Sequence, residues 1–150
     1  MSTTAILGGG FGGIMAANVL RTLVPGEHEI LVIDESTRFH VGAGKTWIML
    51  GERTFEQISE ARTALLEPGI RVLQANVQGI SLSDHTVSTS ATSVRWDYLV
   101  IALGAELHMA AVPGLAEAAH TFYTVEGAQR LYLGGDNDDR AKPPLVAQLR

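Results

Sequence analysis

The chain has 150 residues, 46% hydrophobic and 18% charged, which fits one soluble globular domain with a real core. Its formal net charge of −5 offers nothing to a nucleic acid. Having no cysteine, it holds no disulfide, thiolate nucleophile or cysteine metal site. Met1-Ser2-Thr3-Thr4 enters an apolar strand with no basic or long apolar leader, so a secretory signal is not expected. No run of about 18 apolar residues predicts a transmembrane helix, and a cytoplasmic location is expected.

Thr4 to Leu7 is a short β-rich run stopped by three glycines, and it predicts the first strand. From Gly12 to about Leu23 the pattern is helical, with Ala16, Val19, Leu20 and Leu23 forming an apolar face. Pro25-Gly26 ends it. Glu29 to Ile33 predicts a second buried strand, closed by Asp34-Glu35. Residues 36–53 read as a glycine-punctuated loop. Thr54, at capping-box spacing from Gln57, then opens a predicted helix whose face is Phe55, Ile58, Ala61, Leu65 and Leu66. Pro68-Gly69 stops it, and Ile70 to Gln74 predicts a third strand. Asn76 to Arg95, rich in Val, Ile, Ser and Thr and turning at Asp84-His85, predicts an antiparallel meander. Asp97 to Leu103 is a continuous apolar run ending at Gly104, the pattern of a parallel strand buried on both faces. The whole is an α/β, Rossmann-like three-layer fold with a central parallel sheet and a β-meander, occupying residues 1–131. Residues 132–150, with Gly134-Gly135-Asp136-Asn137-Asp138-Asp139 and Pro143-Pro144, read as an irregular tail.

Gly8-Gly9-Gly10-Phe11-Gly12-Gly13 satisfies G-x-G-x-x-G. Gly8 permits the tight strand-to-helix turn. Gly10, with no Cβ, lets backbone approach a pyrophosphate, and Gly13 lets the helix lie close on the strand. The helix N-terminus then directs free N–H groups and its positive dipole end at the phosphates. The glycine pattern alone is weak evidence. Here a strand precedes it, an amphipathic helix follows, and an acid ends the second strand about 20 residues on, where a ribose contact is needed. Asp34 is the candidate for the ribose hydroxyls; Glu35, one residue on, is the alternative if the register is off by one. An acid here repels a 2′-phosphate, which argues against NADP.

Other constellations carry less. Gly44-Lys45-Thr46 imitates the end of a P-loop, but Phe39 stands where that pattern needs glycine, and no helix signal follows. The five histidines show no ligand spacing and read as surface residues; Asp136, Asp138 and Asp139 lack the spacing of a calcium loop. Trp47 and Trp96 read as packing residues, and no Ser-His-Asp order or nucleophile elbow is present.

A meander in place of a crossover helix resembles the FAD domain of the glutathione-reductase-like flavoproteins. Trp96-Asp97-Tyr98-Leu99-Val100-Ile101-Ala102-Leu103-Gly104-Ala105 is similar to their second motif, a strand usually ending Ala-Thr-Gly. Lys45-Thr46-Trp47, Gly51-Glu52-Arg53-Thr54 and Thr121-Phe122-Tyr123-Thr124-Val125-Glu126-Gly127-Ala128 resemble the sulfide:quinone oxidoreductase and type II NADH dehydrogenase branch. The resemblance spans roughly residues 4–131, and the glycine fingerprint and second motif are its most specific parts.

The resemblance implies FAD as cofactor and a small-molecule electron donor and acceptor, drawn from NADH, sulfide and quinone. It implies that Gly8, Gly10, Phe11, Gly12 and Gly13 wrap the pyrophosphate and that Asp34 holds the adenosine ribose. Val77 would offer its backbone to adenine, and Ala102, Leu103 and Gly104 would line the flavin groove. Lys45 would lie near the isoalloxazine, where a cation stabilises negative charge on the reduced ring, unless it is an ordinary solvated lysine. A full-length relative would be peripheral on the membrane, and a homo-oligomer is compatible with the pattern. Leu103 replaces the usual Thr and removes a hydroxyl, and the family's redox cysteines have no counterpart. The family continues with an NAD-binding half and a late Gly-Asp motif. Neither is seen here, since no strand precedes Gly135-Asp136, so a truncated, frame-shifted or naturally short product is expected. The competing reading is a non-catalytic nucleotide-binding module or remnant that binds NAD or FAD.

Overall fold

The computed structural model describes residues 2–132. They divide into two compact units, one from residues 2–40 and 59–108 and the other from 41–58 and 109–132. In the first unit, β1 (Thr3–Leu7) leads through the glycine turn into α1 (Phe11–Leu23) and then β2 (Glu29–Asp34). A small antiparallel pair follows, β3 (Arg38–His40) with β4 (Ser59–Ala61). After β5 (Ile70–Gln74) come β6 (Val77–Ser81), β7 (Thr86–Thr89) and β8 (Ser93–Arg95), an antiparallel meander, and finally β9 (Tyr98–Ile101). The main sheet is parallel, in the order β5-β2-β1-β9.

Strand alternation explains the layering. Ile6, Ile30, Val32 and Val100 point to the face covered by α1, where Ala17 is fully buried. Leu7, Leu31, Ile33 and Leu99 point to the opposite face, covered by Val87, Val77, Val94 and Trp96 of the meander and its flank. β1 and β2 are therefore buried on both sides, which is why Ala5-Ile6-Leu7 and Ile30-Leu31-Val32-Ile33 are apolar without alternation. Each such side chain contributes about 1.5–3 kcal/mol on leaving water. These three layers are the Rossmann-like arrangement expected from the sequence.

Four expectations are corrected. β9 is the end strand of the sheet, with Tyr98 61% and Ile101 63% exposed, so it is not buried on both faces. The apolar face of α1 is Gly13, Ala17, Ala16 and Leu20, while Val19 and Leu23 face solvent. The sheet needs small residues at the closest helix approach, which a hydrophobicity pattern overlooks. The helix expected from Thr54 ends at Ile58 and gives way to β4 and a 3-10 turn, Arg62–Leu65. Thr54 nonetheless has half of its capping box, its backbone N–H donating to Gln57 Oε1 at 2.9 Å. Residues 36–53 are not simply loop, since β3, a 3-10 turn at Gly42–Gly44 and a helix from Lys45 occupy them.

The second unit is built of short helices: α2 (Lys45–Met49), α3 (Phe55–Ile58), α4 (Leu115–Ala118) and α5 (Val125–Arg130). Buried Gly44 lets Ile58 approach, since a Cβ there would meet Ile58 side-chain atoms at 3.1–3.4 Å. Thr124 caps α5 by accepting from the Gly127 N–H at 3.0 Å, and Ala128 is buried. No helix of the described residues is long and apolar enough to cross a membrane. Of the irregular tail expected over residues 132–150, everything after Tyr132, including Gly135-Asp136, lies outside the described residues.

Candidate functional site

The glycine turn lies at the C-terminal ends of β1 and β2, the edge where ligands bind in open α/β sheets. Gly8 has φ +94°, a conformation open to glycine, and its N–H donates to the Ile33 carbonyl at 2.8 Å. A Cβ on Gly8 would lie 2.7 Å from the Ala102 carbonyl carbon and 2.9 Å from Leu103 Cα. Ala102 in turn donates its N–H to Leu7 O at 2.7 Å. The fingerprint and the second motif, far apart in sequence, thus meet backbone to backbone. A Cβ on Gly13 would strike the Gly8 carbonyl, so glycine here brings α1 onto the turn.

Gly10 differs from both. Its φ and ψ are −76° and −166°, which any residue adopts, and a Cβ there would meet nothing within 4 Å. No local clash explains this glycine, and the open space it faces lies at the N-terminus of a 13-residue helix with no acidic residue in its first turn. Such an end presents unsatisfied N–H groups and a positive dipole to an anion. Gly12 is similarly unconstrained, a Cβ there making only ordinary contact with Ala102 Cβ at 3.7 Å. Phe11 is 66% exposed and meets Phe39 edge-on, with ring centroids 4.9 Å apart.

Asp34 turns its carboxylate to the glycine turn. Its Oδ2 accepts the Gly9 N–H at 2.6 Å, and its Oδ1 accepts the Ser36 N–H at 2.9 Å and Arg62 at 2.7 Å. Two carboxylate oxygens offer about four acceptor positions, so three donors leave about one for a ligand hydroxyl. Glu35 turns elsewhere, accepting from Asn76 Nδ2 at 3.2 Å, while its carbonyl accepts from Gln74.

Arg62 was not singled out in the sequence, where it stands in an apolar segment and looks like any solvated arginine. It is only 3% exposed. Its guanidinium pairs with Asp34, donates to the Gly9 carbonyl, and reaches the carbonyls of Ser36 (3.0 and 3.2 Å) and Arg38 (3.1 Å). Burying such a cation costs several kcal/mol unless it is paired and its donors are satisfied, as they are here.

The remaining candidates are placed as follows. Val77 opens β6 two residues after Ala75, whose N–H donates to the Asp34 carbonyl at 3.0 Å. Leu103 is exposed, and Gly104 takes a positive φ of 82° as the chain turns. The first unit thus gathers Gly8, Gly10, Phe11, Gly12, Gly13, Asp34, Ala102 and Leu103 around one turn. Lys45 belongs to the second unit, where its Nζ donates to the Tyr123 carbonyl and lies 5.0 Å from that ring's centroid. Two minor expectations also change. His28 is half-buried, with its ring nitrogens on the hydroxyls of Ser2 and Thr4, and Trp47 is 44% exposed beneath the Arg53 guanidinium.

Comparison with known proteins shows the family of the chain. Residues 2–141 match the family model for pyridine nucleotide-disulphide oxidoreductases. The chain is 33% identical over 144 residues to the alternative NAD(P)H-ubiquinone oxidoreductase C1, chloroplastic/mitochondrial, of Arabidopsis thaliana, covering 84% of this chain and 28% of that relative. It is 32% identical over 135 residues to the sulfide-quinone reductase of Aquifex aeolicus (strain VF5), covering 85% of this chain and 31% of that relative. The crystal structure of the sulfide:quinone oxidoreductase from Aquifex aeolicus superposes with a TM-score of 0.78 at 28% identity, over 88% of this chain and 31% of that one. The chain therefore spans about a third of the length of these relatives.

Proposed function

Because this chain belongs to the pyridine nucleotide-disulphide oxidoreductase family, we propose that it binds FAD as the flavin-holding part of an oxidoreductase that moves electrons from NAD(P)H or sulfide to a quinone. The observation that carries the reading is Gly10: the fold makes no demand for glycine there, and a side chain would fill the space at the helix N-terminus. The residues fit the cofactor. Gly10, Phe11, Gly12 and Gly13 would hold the pyrophosphate on the first-turn N–H groups of α1. Asp34 has about one acceptor position left for a ribose hydroxyl, and its charge disfavours a 2′-phosphate. Val77 would offer backbone to adenine, and Ala102, Leu103 and Gly104 would border the groove toward the ring. When bound, FAD supplies the acceptance of a hydride or electron pair and its onward release.

Purified protein carrying flavin absorbance, or binding FAD with saturable quenching of flavin fluorescence, is the expected result. NAD is the competing occupant of the same cradle. A colourless protein whose melting temperature rises with NADH and not with FAD would overturn the flavin assignment. A non-catalytic nucleotide-binding module would bind the dinucleotide with no protein-dependent turnover.

A further inference from the structure

A buried cation, Arg62, bonds directly to the glycine turn. Gly9 directs both of its backbone polar groups inward: its N–H donates to Asp34 Oδ2, and its carbonyl accepts from Arg62 Nη1. No peptide bond among the described residues is cis. In a trans peptide the N–H and the C=O point in opposite directions. Anchoring the Gly9 carbonyl on Arg62 therefore aims the next amide, the Gly10 N–H, away from the Arg62 cluster. Where Gly10 lies, a Cβ would meet nothing within 4 Å. Were the Gly9 carbonyl released, the Gly9–Gly10 peptide would be free to rotate, and a glycine pair offers little resistance to that.

We propose that Arg62 is the positioning residue of the dinucleotide cradle, fixing the Gly9–Gly10 peptide so that the Gly10 N–H meets the pyrophosphate. In this role Arg62 acts through Gly9 rather than on the ligand: it is 3% exposed, and all three of its guanidinium nitrogens bond to the protein, Nε to Ser36, Nη1 to Gly9, and Nη2 to Asp34, Ser36 and Arg38. The inference rests on the nucleotide-binding reading above. Two features single out arginine. Its planar fork serves several acceptors at fixed angles, which a lysine ammonium on a flexible stem does not. Gly9 is also glycine for this contact, since a Cβ there would lie 2.6–2.7 Å from Arg62 Cδ, Nε and Nη1.

The test compares ADP with adenosine by NMR shift titration of the whole 150-residue chain. The ratio of their affinities isolates the contribution of the phosphates. Arg62→Met is expected to lower that ratio about tenfold or more, the effect of losing a charge-assisted hydrogen bond. Arg62→Lys is expected to fall between Met and wild type. Loss of general stability would weaken both ligands alike and leave the ratio unmoved, so an unchanged ratio in a folded Arg62→Met protein overturns the proposal. If that variant does not fold, Gly9→Ala crowds the same guanidinium and is read by the same ratio. If wild type binds neither ADP nor FAD, the parent reading fails as well; if wild type binds and only the variants' ratio stays fixed, the role of Arg62 alone is refuted.

Discussion

Substitution at Gly10 separates ligand binding from folding, and the structure sets the size of each effect. Gly10→Ala needs no backbone adjustment at φ −76°, and the added Cβ touches no atom within 4 Å. Reducing the freedom of the unfolded chain stabilises by about 0.4–1 kcal/mol. Alanine is a poorer N-cap than glycine, which costs about 0.5–1 kcal/mol. The two nearly cancel, so the melting temperature should move by only a few degrees. Binding is another matter. The Cβ holds the pyrophosphate off the backbone, and losing one charge-assisted hydrogen bond costs about 1.5–3 kcal/mol, or ~10- to 150-fold in FAD affinity; Gly10→Val should cost more. Gly13→Ala is the control of opposite sign. Its Cβ collides with the Gly8 carbonyl and lies 3.4 Å from Ile6 Cγ2, so overpacking should destabilise the fold by about 1–3 kcal/mol. Thermal denaturation paired with fluorescence titration of FAD reads both quantities. Equal FAD affinity in wild type and Gly10→Val would refute the placement of the pyrophosphate. A large loss of stability in Gly10→Ala would refute the claim that the space is open.

Four further outcomes follow from the same geometry. Asp34→Ala should weaken FAD binding by about 1–3 kcal/mol. It should also lower stability by up to about 3 kcal/mol, because Arg62 is left buried without its carboxylate; Glu35→Ala, facing Asn76, should do neither, and chemical denaturation with titration distinguishes them. Gly8→Ala should fail to fold as assessed by circular dichroism, since it combines a φ of +94° with a Cβ 2.7 Å from the Ala102 carbonyl carbon. Lys45→Met should cost about 0.5–1.5 kcal/mol of stability through the Tyr123 carbonyl; an unchanged midpoint in chemical denaturation would refute a contribution from that contact. NADH oxidation with a quinone acceptor should run within about twofold of free FAD at equal concentration, because hydride transfer needs a held nicotinamide and none of the described residues forms a second nucleotide cradle. A large protein-dependent rate would show that such a site exists.

What was readable from the chain is what depends on local pattern. Ile30-Leu31-Val32-Ile33 announces a strand buried on both faces because period-2 geometry sends alternate residues to opposite sides. The strand, glycine turn, helix and strand-end acid lie within one contiguous segment, so the outline of the turn was legible in the sequence. Asp97 to Leu103 shows where such reading stops: its apolar run is the same in a central or an end strand, and only the order β5-β2-β1-β9 decides that Tyr98 and Ile101 stay exposed. The helix expected through Leu66 failed for a related reason. Apolar spacing at Ile58 and Ala61 is compatible with either period over so short a stretch, and pairing of Ser59–Ala61 with Arg38–His40 settled it. Arg62 was invisible because a charged residue carries no mark of burial in its own letter. Its solvation is decided by whether distant acceptors converge on it, and the Asp34 carboxylate and the carbonyls of Gly9, Ser36 and Arg38 do so only once the sheet, the turn and the strand pair are assembled.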